Sequence, residues 1–288
     1  MSDSRIKLWV GLGAYVMVSA ATGTVDAASS SNADGKAGME RPAHGSHHSA
    51  QSAPTAQGGE GGEGGEGGEA GAFAGLPPEE TFAGQLGLMK GHLRVGRELV
   101  EKGAWDDAVF HFLHPAEEVY DNITDALTTY GAKPFKDELD TLAGLVSKKA
   151  DRKAVQAAYE KTVGAIDAAG AKLPPAARNR PDFALGVATG LLRSAAGEYE
   201  AAFEGDRLAN PVEYQDSRGF VLEARAAIQG MRKKLEAKDA EAYKSLIAAL
   251  DELQKAWPSV LPPQKPIKTA GEVSALVSRI ELLRGRFS

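Results

Sequence analysis

The chain of 288 residues contains no cysteine. That excludes disulfides, thiolate metal sites, a cysteine nucleophile, cysteine-held iron–sulfur clusters and the lipidated cysteine of a bacterial lipoprotein. A metal ion would have to be held by His, Asp, Glu, Met or Tyr. Runs of alternating β-branched residues are missing too, which removes the signature of a half-buried sheet. Basic excess is lacking: 33 Lys and Arg stand against 39 Asp and Glu, a net charge of −6, whereas a nucleic-acid binder needs a basic surface. There is no phosphate-binding glycine loop, dinucleotide fingerprint, Gly-x-Ser-x-Gly elbow or His-Glu-x-x-His motif. The residues therefore specify no catalytic group and no substrate.

What is present divides the chain into three parts. Residues 1–27 have Arg5 and Lys7, an uncharged stretch from Leu8 to Val25, and small residues around Ala27, the arrangement of an export signal. The uncharged stretch of about 18 residues is also near the lower limit for spanning a bilayer, so an uncleaved N-terminal anchor is the alternative. Either way the bulk of the protein is expected in the periplasm or otherwise exported. Residues 28–75 hold 13 of the 33 glycines and repeat Gly-Gly-Glu four times between 58 and 69. Such a segment buries too little apolar surface to fold and reads as a disordered Gly/Glu/His-rich tether, with His44, His47 and His48 as a weak metal catch.

Residues 76–288 read as one all-α domain, a bundle of about eight antiparallel helices. Pro77, Pro78, Glu79 and Glu80 open a first helix that ends at Gly103, with Phe82, Leu86, Met89, Leu93 and Val100 on its inner face. A second helix from Trp105 to about Tyr130 is broken or kinked at Pro115. Helices are further expected at about 134–148, 151–169, 182–204, from Pro211, at 239–257 and at 270–285. The proline-rich stretch 172–181 is a possible sub-boundary. Asn210-Pro211-Val212-Glu213 and Thr269-Ala270-Gly271-Glu272 both read as capped helix starts.

The histidines are the least ordinary feature. All six lie at 44, 47, 48, 92, 111 and 114, and none occurs beyond. With the turn centred on Gly103, His92 and His114 are each eleven residues away, so an antiparallel hairpin sets them level, and Met89 falls opposite Glu117. On a continuous second helix, Asp107, His111, His114, Glu118, Asp121 and Asp125 share one stripe. Imidazole and carboxylate at three- and four-residue spacing can reach one cation without backbone distortion. A second group, Glu198 and Asp216, projects from apolar faces of two later helices. Its bland explanation is pairing with Arg193, Arg218 or Arg225. Glu213 reads as a cap.

His114-Pro115-Ala116-Glu117 resembles the His-x-x-Glu motif of imelysin-like proteins, an exported helical-bundle family that includes periplasmic components of bacterial iron uptake. Phe112 stands where that family carries glycine. The resemblance implies His114 and Glu117 as ligands and iron as the metal. Together these readings make the chain an exported binder of a transition metal, iron preferred and zinc, copper or manganese possible. The ligand set is His92, His111, His114, Glu117 and Glu118, with Met89, Glu198 and Asp216 as additional members. A membrane or cell-envelope protein is the expected partner. The rival is a metal-free cell-envelope adaptor that binds proteins through a helical groove.

Overall fold

The computed structural model describes Glu69 and residues 71–287. The export segment, His44, His47 and His48, and nearly all of the tether lie outside these residues. Helix α1 (Pro78–Lys102) begins with proline in its first turn and Glu79 and Glu80 beside its positive end, and Gly103 closes it at φ 80° by donating to the Leu99 and Val100 carbonyls. Helix α2 (Trp105–His114) returns against it. Pro115 cannot donate a backbone N–H, and the chain widens there into a π turn (Pro115–Val119), then a short 3₁₀ turn (Asp121–Ile123) and α3 (Thr124–Tyr130). Lys136 donates to the Ala116 carbonyl in the widened turn.

Helices α4 (Lys136–Ser147) and α5 (Arg152–Gly170, capped by Asp151) pack beside this hairpin. The proline-rich stretch forms a single turn, α6 (Pro175–Arg178), and helices from both sides of it pack on one another. Beyond it comes a longer pair, α7 (Pro181–Ala201) and α8 (Pro211–Gly230). A two-stranded hairpin that the sequence did not announce joins them, β1 (Phe203–Glu204) and β2 (Arg207–Leu208), with Gly205 at φ 60°. Helices α9 (Arg232–Lys238), α10 (Ala240–Gln254) and α11 (Ala270–Arg284) complete the fold.

The class is all-α and the architecture a helical bundle. The additional helices arise from the break at Pro115, the turn at Pro175 and the interruption at Met231. Thr269 and Glu272 make the reciprocal capping box. Asn210 does not cap α8 through its side chain, which donates instead to the Ala201 carbonyl. The irregular segment after α10 is tied down by buried aromatics: Tyr199 and Tyr214 donate to the carbonyls of Lys268 and Ser259, and Trp257 donates to Ser217 Oγ at 2.6 Å.

Two close approaches set the spacing of the central helices. Gly91 of α1 and Gly219 of α8 meet backbone to backbone, and a Cβ on Gly219 would fall onto the Gly91 carbonyl. This brings the neighbouring residue on α1, His92, against α8. Phe73 fills a slot between α1 and α7 where Gly84 and Gly190 leave room for its ring. It is buried in the core, although it belongs to the stretch expected to be tether.

Candidate metal centre

Helices α1, α2, α7 and α8 point polar side chains into the middle of an apolar bundle. Removing such groups from water carries a penalty unless each finds a partner, and here the partners are mostly each other. The focus is Asp216 on α8, 1% exposed. Its Oδ1 lies 2.6 Å from Nδ1 of His92 and 2.7 Å from Nδ1 of His111. Its Oδ2 has no hydrogen-bond partner and faces His114 Nδ1 at 3.7 Å. Three imidazoles from two helices thus turn the same ring nitrogen toward one carboxylate.

The opposite nitrogens are also held. Nε2 of His92 meets the Glu69 carboxylate at 3.3 Å, Nε2 of His111 lies 2.7 Å from Gln215 Oε1, and Nε2 of His114 is 3.7 Å from Glu118. The His92 ring stacks edge-on against Phe220 and His114, at centroid distances of 4.9 and 5.5 Å. Outer partners of this kind fix ring orientation and raise ligand basicity at metal sites. Among the described residues, His92, His114 and Asp216 form a group whose candidate ligand atoms all lie within 4.8 Å of one another. His111 sits outside that group and holds Asp216 Oδ1 from the other side.

The electrostatics follow from burial and proximity. Burial opposes a charge on His92, but the carboxylates of Asp216 and Glu69 outweigh it and hold the imidazole well above its usual pKa. Burial likewise opposes His114, and Asp216 leaves its pKa raised. Asp216 is the mirror case: buried, yet held well below the carboxylate range by His92 and His111. Glu198 on α7 behaves differently. Burial first, then a hydrogen bond to Glu213 and the fields of Glu69 and Asp216, push its carboxyl up to about 10, so it is a neutral acid at pH 7.

The remaining residues singled out by the sequence separate. Glu118 stands at the rim beside His114. Glu117, Asp121 and Asp125 are exposed, because the π turn rotates everything beyond His114 away from the stripe that a continuous helix would have made, and Asp107 is exposed in the first turn of α2. The His-x-x-Glu motif is therefore split between the interior and the surface. Met89 is fully buried in the hydrophobic core. The arginines that might have neutralised the second group are engaged elsewhere: Arg193 with Glu281, Arg218 with Glu98 and Arg225 with Asp251. Glu213 makes no side-chain cap at the start of α8.

Sequence reasoning missed Glu69 and Gln215. The available signal for Glu69 was Phe73, a lone large apolar residue a few positions beyond the last Gly-Gly-Glu, which marks where the polar segment docks. Gln215 carried no signal apart from its place beside Asp216.

Residues 174–284, from just before α6 to the end of α11, match the family model of the iron permease-associated 4-helix bundle domain. No curated protein and no solved structure matches the chain. The matched family is not the imelysin-like one that the His-x-x-Glu motif suggested. The matched segment supplies Glu198, Glu213, Gln215 and Asp216, and every histidine lies outside it. The likeness is confined to α6 through α11, less than half of the chain.

Proposed function

We propose that the protein binds a first-row transition metal ion, iron in its physiological setting, as cargo in the interior of its bundle outside the cytoplasm, and passes it to a membrane permease. The observation that carries the reading is the convergence of His92, His111 and His114 on Asp216, whose Oδ2 is buried without a hydrogen-bond partner. Mixed imidazole and carboxylate donors suit iron, zinc and manganese. In this reading Asp216 and the Nδ1 atoms of His92 and His114 take the ion, while His111, Glu69, Gln215 and Glu118 orient them. A metal–ligand distance of about 2.0–2.2 Å requires the 2.6 Å His92–Asp216 contact to open around the ion and release its proton.

Three further facts support the wider reading. The family match carries the words iron permease-associated. No helix among the described residues is long and apolar enough to cross a membrane, so transport would need a separate permease. The leading residues have the arrangement of an export signal.

The test is metal analysis of the full chain after equilibration with Fe(II) under anaerobic conditions, and separately with Zn(II) and Mn(II). Retention of bound metal that is lost in His92→Ala and in Asp216→Asn supports the reading. A wild-type chain that retains none of the three ions, with an unchanged melting temperature in their presence, overturns it and leaves the adaptor reading.

A further inference from the structure

The three rings around Asp216 differ in how tightly they are held and in how they meet the solvent. His92 and His111 are fully buried, and their Nδ1 atoms lie 2.6 and 2.7 Å from Asp216 Oδ1. His114 is the exception. Its side chain is 23% exposed, and both of its ring nitrogens stand 3.7 Å from a carboxylate, beyond hydrogen-bond reach. Nδ1 faces inward to Asp216 Oδ2, and Nε2 faces Glu118, whose side chain is 36% exposed. One loosely held ring thus joins the surface to a buried carboxylate oxygen that lacks a hydrogen-bond partner. The ring stands on the last residue of α2, where Pro115 opens the π turn that carries Glu118. At the opposite end of the centre Glu69 is only 15% exposed over His92, and Phe73 pins its segment in the core.

We propose that His114 and Glu118 form the port by which a divalent cation enters and leaves the centre, with Glu118 the positioning residue that meets the ion first. The inference rests on the proposed function, in which Asp216 and the histidines take the ion. A hydrated cation bound for the interior exchanges its waters for protein donors in steps, and the carboxylate at the rim offers the first of them. His114 Nε2 is beside that carboxylate, and Asp216 Oδ2 lies on the inner side of the same ring. Turning of the ring, which is not pinned as the other two are, opens the way inward. Negative charge at the mouth of a cleft also concentrates cations and speeds their association, an effect that salt suppresses. Glu117 is exposed on the same turn but is not beside the ring, so it takes no part in the passage.

The experiment is stopped-flow mixing of the metal-free full chain with Co(II), whose visible absorption reports ligation, in a His44→Ala/His47→Ala/His48→Ala background that silences the N-terminal histidine cluster. Dissociation is followed separately by transfer of the ion to a chelator. Glu118→Gln is expected to slow association about tenfold or more and to make the remaining rate less sensitive to salt than that of the wild type. Glu117→Gln removes the same charge from the neighbouring position and is expected to leave the association rate within about twofold, the contrast that separates a port from general attraction. Unchanged association with faster dissociation in Glu118→Gln overturns the port, because Glu118 then only orients His114. An equal slowing in Glu117→Gln overturns it in favour of diffuse charge, and slowing in Glu69→Gln but not in Glu118→Gln overturns it by placing the entrance at the opposite end. Each of these results leaves the histidine centre standing. Absence of Co(II) ligation by the wild-type chain removes the centre itself, and the port with it.

Discussion

Nδ1 of His92 lies 2.6 Å from Oδ1 of Asp216, although 124 positions separate the two in the chain. Both side chains are buried, and the contact joins α1 to α8 beside the place where Gly91 and Gly219 touch. Removing one partner from a buried ion pair costs about 3–5 kcal/mol, because the other charge stays uncompensated. Asp216→Asn is expected to lower stability by an amount in that range in the metal-free chain, measured by denaturant unfolding, and to abolish retention of Fe(II).

Glu69 reaches His92 from the segment ahead of α1, which Phe73 anchors in the core. Outer partners of metal-binding histidines are worth about 10–100-fold in metal affinity. Glu69→Gln is expected to weaken Zn(II) binding by a factor in that range, measured by competition with a chelator, while leaving the melting temperature of the metal-free chain nearly unchanged. Phe73→Ala is expected to lose about 3–5 kcal/mol of stability by emptying a core slot, and to weaken the metal as well. Unaltered affinity in both variants would show that the polar segment is a bystander.

The glycine contact is expected to tolerate nothing larger. A Cβ on Gly91 would sit 2.7 Å from Phe220 Cδ1 and 3.1 Å from the backbone carbon of Gly219. Over-packing at such a point costs about 1–3 kcal/mol and pushes the helices apart. Gly91→Ala and Gly219→Ala should therefore lower the melting temperature and the metal affinity together, since parting α1 from α8 separates His92 from Asp216. Thermal melts with and without Zn(II) report both effects.

Glu198 sets a dependence on pH. Its carboxyl titrates near 4.5 when free and at about 10 in the fold. Folding therefore takes up a proton between these values, and this group's contribution to stability declines as pH rises from about 4.5 toward about 10. Glu198→Gln carries no such titration. The metal-free variant is expected to be more stable than wild type at pH 8, with a smaller loss of stability between pH 6 and pH 9, measured by urea unfolding across the pH series.

The sequence made the helices legible because their ends are chemically marked: Pro78 and Gly103 for α1, Asp151 for α5, Thr269 and Glu272 for α11. The equal distance of His92 and His114 from Gly103 was legible as arithmetic, and their ring centroids lie 5.5 Å apart. The stripe beyond His114 was read from a continuous helix, and the π turn at Pro115 put Glu117 on the surface. A proline announces a break in the hydrogen-bond ladder, but not the rotation of the chain beyond it.

By itself, then, the sequence determined the all-α class, the spacing of the histidines on one hairpin and the lack of thiolate chemistry, because periodicity, capping and composition are local properties. Only the tertiary structure decided which acid those histidines meet, that Glu198 is buried while the nearby arginines pair elsewhere, and that Phe73 carries Glu69 to His92. Those outcomes depend on which helix faces approach closely enough to exclude water. In this chain that approach is set by glycines and aromatic rings far apart in sequence, which no local pattern connects.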